Sequence, residues 1–315
     1  MAMAPARLPR IGFVGLGNMG LPMAARLARR GFPMRVFDSR PDAVADFVDR
    51  FGGEGAASLG ATGSASDIVI AMLPNGRIVR RAVLGEDGER RDGLADGMAA
   101  GTVLIDMGSS APAGTVALGA LLADRGVAML DAPVSGGVKR AESGELAIMV
   151  GGDPDTVDRC RDVLGAMGSR LFETGPLGSA QAMKALNNLL SAAGFVAGIE
   201  VLMIGRRYGL RPETMIEILN ASTGRNNSTE HKFAQFVLSR TFDSGFSLDL
   251  MVKDLTTALD LARETETPVP FGALCRELWA AARRSLEEGA DHTAMARWVE
   301  AQAGTALADG EGQDG

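Results

Sequence analysis

The chain has 315 residues, of which 46% are hydrophobic and 23% charged, with a net charge of -7. This composition excludes a mainly disordered or fibrous protein, and the acidic balance argues against nucleic acid or an anionic membrane as the partner. At roughly 100–200 residues per domain the length suggests two domains. Cys160 and Cys275 are too few for a disulfide framework and lack the spacing of a zinc site. They read as structural thiols of a reducing, cytoplasmic compartment, and no metal is expected. Of the 32 basic residues only Lys139, Lys184, Lys232 and Lys253 are lysines, leaving 28 arginines. Arginine stays protonated at working pH, whereas lysine can be tuned to give and take a proton, so each lysine is a candidate for chemistry.

Along the chain, residues 1–9 lack the apolar core of a secretory signal and read as a loose arm. From Arg10 to about Gly175 short apolar runs alternate with helical stretches. The runs are Ile11–Val14, Met34–Phe37, Ile68–Leu73, Val103–Ile105, Ala128–Leu130 and Ala147–Val150; Met19–Arg30 and Asp42–Phe51 are helical between them. This alternation predicts a mostly parallel sheet covered on both faces, a doubly wound α/β domain over 10–175. After Gly178 the strand signals stop. Ser179–Tyr208 reads as one long helix, apolar or small nearly all round, and therefore buried on several sides. It carries Glu200 and is read as a buried helix, not a membrane span. Pro212–Asn220, Lys232–Leu238, Leu248–Thr265, Phe271–Glu287 and His292–Gln302 follow with helical periodicity. The second domain, 176–305, is therefore all-α and opened by a long interdomain helix. The polar, Gly-rich stretch 306–315 reads as a disordered tail.

The first strand runs into Gly15-Leu16-Gly17-Asn18-Met19-Gly20 and then a helix. Gly15 permits the tight turn, Gly17 leaves room for a pyrophosphate against the backbone, and Gly20 lets helix and strand pack closely. The helix N-terminus offers free N–H groups and a positive dipole to the phosphates. Asp38 ends the second strand 18 residues after Gly20, where an acid binds the adenosine ribose hydroxyls. A carboxylate there favours NAD and repels a 2′-phosphate; Arg40, two residues on, keeps NADP open. Two further segments suggest chemistry. Asp131-Ala132-Pro133-Val134-Ser135-Gly136-Gly137 ends in a turn whose N–H groups and Ser135 hydroxyl suit a carboxylate, although the same residues also make a plain turn. Lys184 and Asn188 stand four apart on one face of the long helix. A lysine there either has a task or extends its amine to water.

With these segments in hand, the chain resembles the β-hydroxyacid dehydrogenase family, of the 3-hydroxyisobutyrate dehydrogenase type. The likeness rests on Gly12–Met23, Asp131–Gly137, Gly178–Asn188 and Phe246–Asp254, which occur in the family's order over residues 12 to 254. The resemblance implies a Rossmann-type domain followed by an all-α domain, and hydride transfer between NAD(P) and carbon 3 of a small 3-hydroxy acid bound at the interdomain cleft. It implies Lys184 as general acid/base with Asn188 beside it, and Ser135, Gly136 and Gly137 as the holders of the substrate carboxylate. Lys253 would reach cofactor or substrate, with Asp254 adjacent. Leu73 and Pro74 would line the cofactor, and Ser109 would place a hydroxyl near the nicotinamide.

There are departures. The family's Asp-x-Ser-Thr reads Asp106-Met107-Gly108-Ser109 here, and Arg140 replaces a small residue. The loop Ser222–Ser228 has Asn226-Asn227 where an aromatic is usual, with Arg225 as a candidate fork for a second carboxylate on a more oxygenated or acidic substrate. Rival readings on the same scaffold are reduction of a semialdehyde or an imine, or a 6-phosphogluconate-type decarboxylation; a non-catalytic nucleotide-binding regulator is a rival from another class. The apolar surface of the long helix predicts a homodimer or tetramer through the all-α domain. His231 and His292 are expected at the surface or at helix caps.

Overall fold

The computed structural model describes residues 7–85 and 92–308. Residues 1–6 and 309–315 of the two expected tails lie outside the described residues. The chain divides into two compact units, 1–184 and 185–315.

In the first unit the described residues form one sheet: β1 Ile11–Val14, β2 Met34–Phe37, β3 Glu54–Gly55, β4 Ile68–Ala71, β5 Val103–Asp106, β6 Ala128–Asp131, β7 Val134–Ser135, β8 Leu146–Gly151 and β9 Gly168–Gly175. The order is β3-β2-β1-β4-β5-β6-β8-β7, with β9 paired to β8. From β3 through β6 the pairs are parallel. β8 runs antiparallel to β6 and β7 and parallel to β9. The chain lays β2 and β3 on one side of β1 and then returns to lay β4 on the other. That reversal opens a crevice at the carboxyl end of β1, where α/β sheets bind ligands.

The apolar runs are continuous because both faces are buried. Ile11, Phe13, Ile70 and Ile105 face one core, shared with Met23 and Leu27 of the helix Gly20–Arg29. Val69, Ala71 and Leu104 face the other, with Val79 and Val83 of Gly76–Leu84 and Leu118 and Leu122 of Pro112–Ala123. Strands away from this centre lack the signature: β2 carries Arg35 and alternates buried with half-buried positions. β3 and β7 have two residues each, and β9 is an edge strand whose side chains are largely exposed. An edge strand with a wet face need not be apolar.

The second unit is helical. It holds most of Ser179–Tyr208, then Pro212–Asn220, Asn227–His231, Leu248–Glu264, Pro270–Ser285 and Met295–Ala303. Phe195, Ile199, Leu202, Phe233, Trp279 and Met295 form its core. Phe233–Leu238, expected as α-helix, winds as a π-helix, and His292–Ala294 is a 3₁₀ turn leading into the last helix. Leu307, assigned to the tail by composition, is buried and donates its N–H to Glu300 at 2.8 Å. The packed chain therefore extends at least to Leu307. The long helix is long and apolar enough to cross a membrane, yet half of its most apolar window is buried within the protein.

Candidate active site

Three loops at the carboxyl ends of β1, β4 and β5 touch one another. Gly15 has φ +97, and a Cβ there would lie 2.3 Å from the Met72 carbonyl oxygen and 3.1 Å from Leu73 Cδ2. A Cβ on Gly108 would lie 2.5 Å from the Leu73 carbonyl. Gly20 is closed off in the same way, with the Gly15 carbonyl 1.8 Å from its would-be Cβ. Gly17 differs: a Cβ there would meet nothing within 4 Å. Two glycines serve packing, and the middle one leaves a vacant approach to the backbone. That is the cradle a pyrophosphate needs, so the residues present fit a dinucleotide. Pro74 follows Leu73, and Asn75 caps the next helix through Ile78 N–H.

Asp38 is held firmly at the edge of this crevice. One oxygen accepts Leu16 N–H at 2.7 Å; the other accepts the backbone N–H and Nε of Arg40 at 2.9 and 3.1 Å. Burial pushes the carboxyl upward. The Arg40 guanidinium and the two backbone donors outweigh it and hold Asp38 below the usual carboxylate value. Arg40 also donates to the Leu16 carbonyl at 3.2 Å.

The first turns of the long helix are stitched to the sheet by residues whose role the sequence did not disclose. Asp131, fully buried at the end of β6, accepts the N–H groups of Gly178 and Gln181, each at 2.8 Å. Burial raises its carboxyl above the ordinary value, against the pull of those donors. Gln181 then clamps the loop after β5, accepting Ser110 N–H at 2.9 Å and donating to the Gly108 carbonyl at 3.2 Å. Ser110 Oγ donates to buried Asp106 at 2.6 Å. Ser109, the expected nicotinamide contact, sits between these two anchors. Asp106 and Gln181 were legible as members of the Asp106–Ser109 and Gly178–Asn188 segments, without the contacts they make.

One turn after Gln181, Lys184 donates its amine to the Val134 carbonyl at 2.8 Å. Val134 and Ser135 are fixed as β7 by pairing with Ile148 and Ala147 of β8. Gly136 and Gly137 follow with φ +139 and +69, and both are exposed. The structure thus brings Lys184 beside the Ser135–Gly137 turn, two segments separated by about fifty residues of sequence.

In the helical unit Asn188 is buried and donates to Asp254 at 2.6 Å; its own oxygen accepts from Asn187 at 3.1 Å. Lys253 pairs with Asp254 at 3.0 Å. Arg225 is 64% exposed and pairs loosely with Glu230 at 3.7 Å. Asn226 caps the helix Asn227–His231 by accepting the N–H groups of Ser228 and Thr229. Asn226-x-x-Thr229 is a readable capping pattern. His292 is not at the surface: it is packed among Phe195, Phe246 and Trp279, and burial pushes its pKa below the usual value. Two grooves among the described residues lie elsewhere. One of about 740 Å³ beside Gly152 and Gly175 contains none of the expected residues, and one of about 700 Å³ in the helical unit contains only Lys253.

Comparison with known proteins assigns this geometry. Residues 10–175 match the NAD binding domain of 6-phosphogluconate dehydrogenase, and residues 178–299 match the NAD-binding domain of NADP-dependent 3-hydroxyisobutyrate dehydrogenase. The 3-hydroxyisobutyrate dehydrogenase of Pseudomonas aeruginosa is 37% identical over 276 residues, covering 86% of this chain and 91% of that protein. The chain belongs to the β-hydroxyacid dehydrogenase family. The 2-(hydroxymethyl)glutarate dehydrogenase of Eubacterium barkeri is 35% identical over 302 residues, 96% of this chain and 98% of that one. The solved structure of Mycobacterium tuberculosis 3-hydroxyisobutyrate dehydrogenase with L-serine superposes with a TM-score of 0.82 at 32% identity, covering 93% of this chain and 99% of that one. Membership makes the protein an NAD(P)-dependent oxidoreductase that acts on CH–OH groups, as the two family matches and the vacant approach at Gly17 agree.

Proposed function

We propose that this β-hydroxyacid dehydrogenase interconverts a small 3-hydroxy acid and its semialdehyde, with Lys184 as general acid/base. The observation that carries this is the 2.8 Å bond from the Lys184 amine to the Val134 carbonyl, which sets the amine beside the Ser135–Gly137 turn. Bound nicotinamide supplies the hydride acceptor or donor. Ser135 Oγ and the N–H groups of Gly136 and Gly137 hold the substrate carboxylate. Lys184 takes the proton of the 3-hydroxyl during oxidation and returns it during reduction. Asn188, its amide fixed by Asp254 and Asn187, orients the substrate oxygen; Lys253 stands next to it on Asp254. Gly15 to Gly20, Leu73, Pro74 and Ser109 hold the dinucleotide.

NAD is the favoured cofactor in this reading, because a ribose diol can share the Asp38 carboxylate and a 2′-phosphate is repelled by it. Arg40 at the same carboxylate offsets part of that repulsion, leaving some use of NADP. The enzyme assembles as a homodimer or tetramer through its helical domain. Supporting this, Leu186, Leu190, Val201, Ile204 and Tyr208 form an exposed apolar stripe at helical spacing. A reducing, cytoplasmic setting suits the two buried thiols, each pushed by burial up to about 11.

The test is formation of reduced nicotinamide across 3-hydroxyisobutyrate, both glycerates, L-serine, threonate and two dicarboxylic acids, 2-(hydroxymethyl)succinate and 2-(hydroxymethyl)glutarate, each with NAD and NADP. Turnover of at least one acid is expected. No turnover of any, in either direction, would contradict the proposed reaction.

A further inference from the structure

Proton transfer at Lys184 and hydride transfer at the nicotinamide act on the same substrate carbon and its oxygen, so the two groups must keep a fixed separation. Within the first compact unit one side chain joins the elements that carry them. Gln181 stands three positions before Lys184 in the long helix, about 4.5 Å back along the axis. It is 1% exposed. Its backbone N–H reaches the Asp131 carboxylate at 2.8 Å, at the root of the segment that runs on into the Ser135 turn. Its side-chain oxygen accepts Ser110 N–H at 2.9 Å, and its side-chain nitrogen donates to the Gly108 carbonyl at 3.2 Å. These two bonds flank Ser109.

The loop asks for an amide. One of its backbone groups is a donor and the other an acceptor, so the side chain must accept through one atom and donate through the other, which also fixes the orientation of the amide. Methionine fills a similar volume and leaves both backbone groups unpaired. A carboxylate accepts from Ser110 and opposes the Gly108 carbonyl. From its other side the same loop is tied to buried Asp106, which accepts Gly108 N–H at 3.0 Å and the Ser110 hydroxyl at 2.6 Å. Ser109 is therefore indexed both to the sheet and to the helix of Lys184. The other tasks of the site do not depend on this link: the phosphates fall to the Gly15–Gly20 loop, the ribose to Asp38, and the Ser135 turn is fixed by pairing with β8.

We propose that Gln181 is a positioning residue for hydride transfer: its amide registers the Ser109 loop, and with it the nicotinamide ring, against the Lys184 amine. This rests on the roles given above to Lys184 and Ser109. Gln181 acts through the loop and the helix, so its effect falls on kcat and not on the binding of cofactor or acid.

The experiment measures kcat per NADH-binding site for the best acid of the panel, with KM for that acid and NADH affinity, in the wild type and in Gln181→Met. The variant keeps the volume and removes both side-chain bonds. Its kcat should fall at least about tenfold, within the range for a small misplacement of reacting groups, while KM and NADH affinity stay within about threefold of the wild type. Gln181→Glu gives a second readout. The introduced carboxyl is buried, and Asp106 and Asp131 are bonded to the same segments, so it should titrate well above the ordinary value of about 4.3. Protonated, it accepts and donates as the amide does; ionised, it cannot donate. Its kcat relative to the wild type should therefore rise at least about tenfold from pH 8 to pH 6, a change that a loss of folded protein would not produce. Wild-type kcat in Gln181→Met would overturn the assignment. So would a fall in NADH affinity equal to the fall in kcat, or a flat pH ratio in Gln181→Glu. Each of these leaves the general reaction standing if the wild type turns over an acid and Lys184→Ala does not. Failure of the wild type on the whole panel would overturn both.

Discussion

The glycines of the first loop differ in what surrounds them, and that difference is measurable. Gly17→Ala places a methyl group where nothing lies within 4 Å, at a backbone outside the left-handed region. The folded protein should accept it, with a gain of about 0.4–1 kcal/mol from the stiffer unfolded chain. Gly20→Ala places the same methyl group 1.8 Å from the Gly15 carbonyl oxygen, inside a buried contact. Strand and helix must separate, at about 1–3 kcal/mol for overpacking. With roughly 2–4 °C per kcal/mol for a domain of this size, Tm should fall by roughly 2–12 °C in Gly20→Ala and hold or rise slightly in Gly17→Ala. NADH titration by fluorescence should show the reverse order of insight: Gly17→Ala, though stable, should bind at least about tenfold more weakly, since its methyl group occupies the approach to the pyrophosphate. Wild-type NADH affinity in Gly17→Ala would refute the reasoning, as would a loss of stability equal to that of Gly20→Ala.

Other consequences follow from particular contacts. Arg40→Ala should raise KM for NADP at least about tenfold relative to that for NAD, because the cation that offsets Asp38 is gone; equal changes for both cofactors would remove Arg40 from the account. Asp291 accepts hydrogen bonds from Ser244, Gly245, Phe246 and Thr293. Burial pushes its carboxyl upward, but these donors and His292 hold it far below its ordinary value. A carboxyl lowered in the folded state stabilises above its unfolded pKa, and this is lost as pH falls below about 4. Asp291→Asn should therefore cost about 2–4 kcal/mol near neutrality and flatten the acid limb of the Tm profile, whereas a parallel profile would exclude Asp291 as its source. If the proposed assembly through the long helix holds, Leu190→Glu, at a side chain 77% exposed, should lower the mass in light scattering to that of a monomer; an unchanged mass would contradict an interface at Leu190.

Much of the fold was legible because the central strands are buried on both faces, which forces continuous apolar runs at β1, β4, β5 and β6. β9 escaped because an edge strand keeps a wet face. The Gly15–Gly20 loop was legible because backbone approach demands glycine at fixed spacing, and Lys184 stood out in a chain that uses arginine almost everywhere else. What pattern could not disclose were contacts across long separations. Asp131 reads as part of a turn, but its carboxylate caps a helix that begins nearly fifty residues later. Gln181 looks like any polar residue near a helix start, yet it fixes the loop around Ser109. His292 looked like a surface residue because the three aromatic rings that enclose it come from three other segments.

The central claim is that Lys184 moves the substrate proton while other residues hold the cofactor. It is tested most directly by measuring kcat for the best acid of the panel and NADH affinity together, in the wild type and in Lys184→Ala. The account predicts a loss of at least about 10²-fold in kcat, with NADH affinity close to that of the wild type. Near-normal turnover in Lys184→Ala would contradict it.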